Sequence, residues 1–474
     1  MHIFANIKKI VTESVATLAK AKKIKLNEAA LNKLTIEQPR DKSFGCIATN
    51  AAMICAKEFQ MSPRDLATDI IAQLEKLSEN IEKISVAGPG FINISFKDSF
   101  WQNHLLEIIN DKNFAKLNIG KGEKVNIEFA SPNPTGPVHI GHSRGAIYGD
   151  VLASILENLG YDVTRENYIN DAGGQIDILA QSLYLRYVEV ATNKPQIIPQ
   201  GLYPGEYLIP VAKEIFRQSK DKYLAQDFQE IKEEFKLIAV KNMLELIKAG
   251  LADLGVVHDV HFSEKKLHEA NKIKEVIELL GNKQHTYIGV LPKPKGKAGE
   301  NWQEREQLLS KAKEFGDDVD RALQKSDGSW TYFAADAAYH LDKIQRGFNK
   351  MILILGADHG GYIKRMQALI KALSDSKAEI NIKICQLVNL QKHGENIKMS
   401  KRDGNFVTVS ELVEMVGKDV LRFIMLTRKN DALLDLDVEL AVSQSKDNPV
   451  FYIQYAHARI CSVMRKVSDF DINK

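Results

Sequence analysis

The strongest constraint on this chain is the run Ser131-Pro132-Asn133-Pro134-Thr135-Gly136-Pro137-Val138-His139-Ile140-Gly141-His142. A β-like segment, Val125 to Ala130, precedes it. A helical pattern with Val151, Leu152, Ile155, Leu156 and Leu159 on one face follows, ending at Gly160. Strand, Pro/Gly loop and helix in that order are how a doubly wound parallel sheet holds a phosphate-bearing ligand. The helix N-terminus supplies unpaired N–H groups and the positive end of its dipole. Two imidazoles three residues apart stand at that helix mouth, able to donate to phosphate oxygens without adding full cations.

The rest of the chain supports an α/β protein of several domains. Its 474 residues are 44% hydrophobic and 26% charged, the composition of an ordinary folded protein. Lys and Arg total 64 against 61 Asp and Glu, a net charge of +3 that neither demands nor excludes nucleic acid. Four cysteines (Cys46, Cys55, Cys385, Cys461) form no C-x-x-C pair, so neither a disulfide framework nor a zinc ribbon is indicated. No apolar run reaches the roughly 18 residues that span a bilayer, and the cytoplasm is the expected location. The N-terminal stretch is not a signal peptide. Ile3, Phe4, Ile7, Ile10, Val11, Val15 and Leu18 recur at helical spacing.

Residues 1–115 read as an α+β unit. In it an alanine-rich helix runs from Ile47 to Phe59, and a further helix has Ser62 as cap and Pro63 at its first position. Strands Ile84–Val86 and Phe91–Phe96 flank the Gly88-Pro89-Gly90 turn. Asp111 to Lys124 is the expected linker. Residues 116–446 form the main domain, with a second strand at Tyr161–Asn167 and a helical insertion over about 190–300. The basic loop Pro292 to Lys297 lies in that insertion. Asp327-Gly328 is read as a turn before a strand, Ser329–Phe333. Met351–Leu355 and Ile382–Leu390 are read as further strands, the first leading through Gly356-Ala357-Asp358-His359-Gly360-Gly361 into a helix. Thr408-Val409-Ser410-Glu411 is a capping box. Asp447-Asn448-Pro449 opens a last helix, so that 447–474 is the start of a helical domain.

A second motif, Lys398-Met399-Ser400-Lys401, lies between Gly394 and Gly404. With His139–His142 it resembles the HIGH and KMSK pair of class I aminoacyl-tRNA synthetases. The match sharpens toward the arginyl-tRNA synthetase family. It is carried by Glu128 to Asn133, Asn170-Asp171-Ala172-Gly173-Gly174-Gln175, Tyr203-Pro204-Gly205-Glu206-Tyr207 and Lys325-Ser326-Asp327-Gly328. It continues through Asp336-Ala337-Ala338-Tyr339-His340, Gly356-Ala357-Asp358-His359 and Asn448 to Arg459. These segments agree in order over essentially the whole chain.

The resemblance implies a Rossmann-like catalytic domain that uses ATP and Mg²⁺ to form arginyl-adenylate from L-arginine. The arginine then passes to the terminal 2′-hydroxyl of tRNA(Arg). It implies catalysis by His139, His142, Lys398 and Lys401. ATP contacts fall on His139, Gly141, His142, Gly356, Asp358, His359, Lys398, Met399, Ser400 and Lys401. Arginine contacts fall on Glu128, Ser131, Asn133, His139, Tyr332 and Asp336. No protein-held metal is implied. The chemistry of those residue types agrees. Mobile ammonium groups suit charge growing on a leaving pyrophosphate, and a planar guanidinium wants carboxylates at the carboxyl ends of strands. Glu128 is expected to end the first strand and Asp336 to follow the strand containing Tyr332. The N-terminal unit resembles the family's tRNA-elbow domain. A monomer is expected, with no membrane partner.

The family ends in a helical anticodon-reading bundle, and this sequence reaches only its opening helix. A truncated C-terminus and impaired charging are therefore expected, since family members typically need tRNA even to activate arginine. The alternatives are a glutamyl or cysteinyl enzyme, which shares both motifs, or a non-catalytic tRNA-binding remnant.

Overall fold

The computed structural model describes residues 3–39, 41–77, 79–293, 304–325, 327–392, 394–397, 407–445 and 448–467. Lys398 to Lys401, Ser326, Asp447 and most of the basic loop at 294–297 lie outside them. The chain divides into two units, Met1–Asn118 and Ile119–Lys474.

In the first unit, α1 (Ile3–Ala21) and the short α2 (Glu28–Leu31) precede β1 (Ile36–Glu37) and β2 (Ile47–Thr49). Helices α3 (Ala51–Phe59) and α4 (Pro63–Leu77), strands β3 (Ile81–Ala87) and β4 (Phe91–Phe96), and α5 (Asp98–Asn110) complete it. The strands form an antiparallel sheet in the order β1-β2-β4-β3. Val11 and Val15 of α1, Leu66 and Ile70 of α4, and Ile92 and Ile94 of β4 share its core. Ser62 caps α4 as its sequence predicts, Oγ accepting from the Asp65 N–H at 3.2 Å. The helix read over Ile47–Phe59 is shorter than expected. Ile47–Thr49 pair with β4 instead, and the helix starts only at Ala51.

The second unit is built on a five-stranded, all-parallel sheet. It begins with β5 (Lys124–Glu128), α6 (Ile140–Asn158), β6 (Asp162–Ile169) and α7 (Gly174–Thr192). Helices α8 (Leu208–Ser219) and α9 (Phe228–Asp253) lead to β7 (Val260–Ser263). Next come α10 (Glu264–Glu269), α11 (Lys272–Asn282), β8 (Thr286–Gly289), β9 (Gln307–Ser310), β10 (Arg321–Ala322) and α12 (Tyr332–Gln345). They are followed by β11 (Lys350–Gly356), a 3₁₀ turn (Ala357–Tyr362), α13 (Ile363–Ser374) and β12 (Glu379–Cys385). The strand order is β12-β11-β5-β6-β7, so the connection reverses direction between β5 and β11. That reversal opens a crevice at the carboxyl ends of the two strands, where open α/β sheets bind ligands.

Strand β5 is buried on both faces, Val125 through Glu128, as a central parallel strand requires. Helix α6 lies so close that a Cβ on Gly149 would meet the Phe129 ring at 2.3 Å. Val151, Leu152 and Leu156 pack against the core as expected, but they are only its partly buried margin. Ile155 is half exposed, and the face toward the core begins earlier, with Ile140, Ser143, Arg144, Ile147 and Asp150. These polar residues are buried because they are bonded. Arg144 donates to the carbonyls of Gln386, Ala432, Arg428 and Lys429 at 3.2, 2.5, 3.4 and 2.7 Å, and Asp150 accepts from Arg422 at 2.6 Å.

Strands β13 (Val388–Lys392), β14 (Glu395–Asn396) and β15 (Leu434–Asp437) form a second small sheet, ordered β14-β13-β15. The strand expected over Ile382–Leu390 is therefore two strands in two sheets. The break falls at Gln386, whose N–H donates to Asn430 and whose carbonyl accepts from Arg144. Helices α14 (Val409–Val416), α15 (Lys418–Met425), α16 (Val438–Val442) and α17 (Pro449–Val467) follow in this region. The Thr408 capping box forms as its sequence predicts. Asn448 caps α17, its Oδ1 accepting from Val450 and Phe451. β8, β9 and β10 form a third sheet of this unit. Among the described residues no helix is long and apolar enough to cross a membrane.

Ser329–Phe333 is not a strand. Trp330 makes only an isolated bridge to Gln324. Thr331 is the N-cap of α12, accepting from Ala334 N–H at 3.3 Å and donating to the Ala322 carbonyl at 2.8 Å. The alanine-rich continuation then favours helix over the β preference of Trp-Thr-Tyr-Phe. The span 190–300 is also not purely helical, because β7 lies within it as an edge of the main sheet.

Candidate active site

Two groups of side chains meet the carboxyl ends of this sheet. The first is at the β5/β11 crevice. His139 caps α6, its Nδ1 accepting from the Gly141 N–H at 3.2 Å, and His142 Nδ1 accepts from the His139 N–H at 3.2 Å. The two rings lie 4.0 Å apart. The fit at Gly141 is tight, since a Cβ there would meet the His139 ring at 3.0 Å. This reciprocal cap is the imidazole counterpart of a capping box. It also fixes the tautomer. With Nδ1 accepting in both rings, each neutral imidazole carries its proton on Nε2. That is the donor a phosphate oxygen needs.

Val138 accepts from the Val409 N–H at 3.0 Å, and His139 forms a β-bridge with Thr408. Thr408 and Val409 are thereby tied to the mouth of α6. Gly356, Asp358 and His359 lie at the end of β11, across the crevice. Asp358 and His359 are exposed and approach each other at 3.5 Å.

The second group is a cluster of carboxylates. Glu128 ends β5 as expected, buried, with Oε2 2.6 Å from the ammonium of Lys343 and Oε1 3.5 Å from Ser131 Oγ. Ser131 Oγ in turn accepts from the Tyr168 N–H. Asp336 does not follow a strand. It sits on the second turn of α12 and accepts from the Tyr362 hydroxyl. Burial, with Glu128 and Glu264 nearby, pushes its carboxyl up to about 7, against the opposing pull of Tyr362 and Arg365. Glu264, the first residue of α10, is buried and also raised, mainly by burial. Tyr168 hydrogen-bonds it and His268 Nε2 lies 3.7 Å away. Asp171 braces the same corner by accepting from Ser263 Oγ at 2.6 Å and the Lys265 N–H at 2.9 Å.

Beside this cluster, Glu166 of β6 stands in register with Glu128. Two carboxylates opposite each other on adjacent strands repel, and α12 supplies a cation to each. Lys343 pairs with Glu128, and Arg346 grips both oxygens of Glu166 at 2.8 and 2.9 Å. Burial alone would raise Glu166, but Arg346, Lys343 and the Tyr339 hydroxyl outweigh it and hold the carboxyl below its usual range.

The structure thus brings Glu128, Ser131 and Asp336 together and adds Glu264, Tyr168, Tyr362 and Lys343, which the sequence reading did not single out. It gathers His139, Gly141 and His142 at one helix mouth. Asn133 is held by Gln175, Nδ2 donating at 2.9 Å. Tyr332 does not line the cluster. It is 78% exposed, with the Lys325 ammonium 5.9 Å from its ring. Glu264 carried a legible signal, since it stands at the carboxyl end of a parallel strand, as Glu128 does. It was hidden because β7 had been taken into a helical insertion. The described residues hold no group of three His, Cys, Asp or Glu side chains able to bind a metal.

Known proteins resemble this chain along nearly its whole length. The family model described as arginyl tRNA synthetase N terminal domain matches residues 5–96, and that described as tRNA synthetases class I (R), catalytic domain matches residues 104–288. The arginine–tRNA ligase of Roseobacter denitrificans is 50% identical over 467 residues, 98% of this chain and 80% of its own length. That of the Wolbachia strain from Brugia malayi is 49% identical, with the same two shares, 98% and 80%. The solved Thermus thermophilus arginyl-tRNA synthetase shares the fold, with a TM-score of 0.70 at 19% identity, over 98% of this chain and 82% of its own. A class I sheet, a histidine-capped helix at its crevice and relatives alike along nearly the whole chain make one conclusion unavoidable: this chain belongs to the arginyl-tRNA synthetase family.

Proposed function

We propose that the chain is an arginine–tRNA ligase whose carboxylate cluster holds the arginine side chain while the mouth of α6 holds ATP. The observation that carries this reading is the clustering of Glu128, Asp336 and Glu264 beside the β5/β11 crevice. A guanidinium satisfies such a cluster through planar, bidentate contacts. An acidic amino acid would add a further carboxylate to this cluster, which argues against a glutamyl enzyme.

The arginine carboxylate attacks the α-phosphorus of ATP in line, a new P–O bond forms, and the bond to pyrophosphate breaks. The Nε2–H groups of His139 and His142 donate to the phosphate oxygens as their charge grows. Mg²⁺ brought with the nucleotide would offset charge on the phosphate oxygens. Lys398 and Lys401 stabilise the leaving pyrophosphate in this reading, which rests on their motif alone. The terminal 2′-hydroxyl of tRNA(Arg) then attacks the arginyl carbonyl carbon and AMP leaves.

In the first unit a cleft of about 450 Å³ is lined by Phe100, Asn103, Lys9 and His104, with Glu13 3.9 Å from Lys9 and Glu107 3.3 Å from His104. The test is arginine-dependent ATP–pyrophosphate exchange, with and without tRNA(Arg). Exchange that responds to glutamate or cysteine but not to arginine would refute the assignment.

A further inference from the structure

Lys343 has a burial that its residue type does not explain. It is 1% exposed, on the face of α12 that also carries Asp336, Tyr339 and Arg346. Its ammonium lies 2.6 Å from Glu128 Oε2 and 4.2 Å above the Tyr339 ring. Glu166, the other carboxylate within reach, is already taken by Arg346 and the Tyr339 hydroxyl. A buried ion pair of this kind is commonly no more stable than an apolar pair of the same size. Stability alone therefore gives no reason for a lysine here.

The geometry gives another reason. Lys343 binds Glu128 by one oxygen only. The other, Oε1, is left beside Ser131 Oγ, on the cluster that Asp336 enters from the same helix.

We propose that Lys343 is a positioning residue for the substrate's cationic side chain: it fixes Glu128 through Oε2 so that Oε1 and Asp336 form a prepared anionic seat. It does not touch the substrate itself. This rests on the arginine-ligase reading above and deepens it. Without Lys343, Glu128 would lie among like charges with no cation of its own and would turn or take up a proton.

The test compares Lys343→Met, Lys343→Arg and the double substitution Glu128→Gln/Lys343→Met with the unsubstituted chain. The readouts are arginine-dependent ATP–pyrophosphate exchange with tRNA(Arg) present, and thermal denaturation. Lys343→Met should raise the arginine KM about tenfold or more, with kcat and the ATP KM within about threefold. Lys343→Arg keeps the charge but moves it, and should raise the arginine KM severalfold at an unchanged melting temperature. It decides the matter where the methionine variant fails to fold. The double variant, with neither charge left, should regain the melting temperature but not the arginine KM.

An arginine KM within about twofold of the unsubstituted value in Lys343→Arg, or in a folded Lys343→Met, would make the lysine merely structural and overturn the proposal. Recovery of the arginine KM in the double variant would show that Glu128 does not face the substrate, and would overturn it too. An unsubstituted chain without arginine dependence would overturn the function reading itself, and this control is read before any variant.

Discussion

Asp336→Asn separates binding from stability at a single atom. The aspartate carboxyl is pushed up to about 7 by burial and by Glu128 and Glu264, while Tyr362 and Arg365 pull it down. A guanidinium needs the ionised form. At pH 7 roughly half of the free sites must therefore lose a proton before binding, which costs about 0.4 kcal/mol; at pH 6 the cost is about 1.4 kcal/mol. The arginine KM of the unsubstituted chain should rise roughly fivefold from pH 7 to pH 6 and fall by less than about twofold from pH 7 to pH 8. Asparagine removes one of the carboxylates facing the cation, a loss on the order of 2–5 kcal/mol, or from about 30-fold to several thousand-fold in arginine KM. Most of the pH slope should go with it.

Stability moves the other way. A carboxyl whose folded pKa lies above its unfolded value makes the folded state bind the extra proton, so stability is lost as pH rises from about 4 to about 7. Asp336→Asn should thus raise the melting temperature at pH 8, and the gain should vanish near pH 4. The assays are ATP–pyrophosphate exchange against arginine between pH 6 and 8.5, with the ATP KM as control, and thermal melts across the same range extended to pH 4. A flat KM profile in the unsubstituted chain, or a variant that keeps the same slope, would refute the reasoning.

Further outcomes are expected elsewhere. Gly149→Ala forces a methyl into the Phe129 ring and should destabilise the second unit by about 1–3 kcal/mol, read as a lower urea midpoint at unchanged slope. Arg144→Met leaves four carbonyls from two segments without their donor. It should cost on the order of 1–3 kcal/mol for each carbonyl left buried without a partner, and a melting temperature within a degree or two of the parent would contradict that. Lys401→Ala should slow pyrophosphate exchange by roughly 10²–10³ with arginine affinity retained; an unchanged exchange rate would remove the lysine from the reaction.

Local physics made some of this legible from the sequence, and distance hid the rest. The mouth of α6 could be read because a cap is a contact between neighbours. His139 and His142 are three residues apart, as are Thr408 and Glu411, and Ser62 and Asp65. Strand ends failed where a tertiary bond decided them. Nothing between Ile382 and Leu390 announces that Gln386 will be claimed by Arg144 and Asn430, and the run reads as one apolar strand. In Ser329–Phe333 a single hydroxyl, Thr331 Oγ1, turns a β-like string into a helix start.

The carboxylate cluster shows the same limit most sharply. A lysine in a helix ordinarily reads as the solvent face, and Lys343 is recognisable as internal only once Glu128, 215 residues away, is known to be its partner. Helix α12 offers a partial clue, since alanines and aromatics surround Asp336 in its first turns and most of its residues are buried. A charge on the buried face of such a helix requires an opposite one across the interface. Glu128, at the end of β5, and Glu166, in register with it within β6, are those partners. The same pairing fixes the rotation of α12, and with it the direction in which Asp336 meets the crevice.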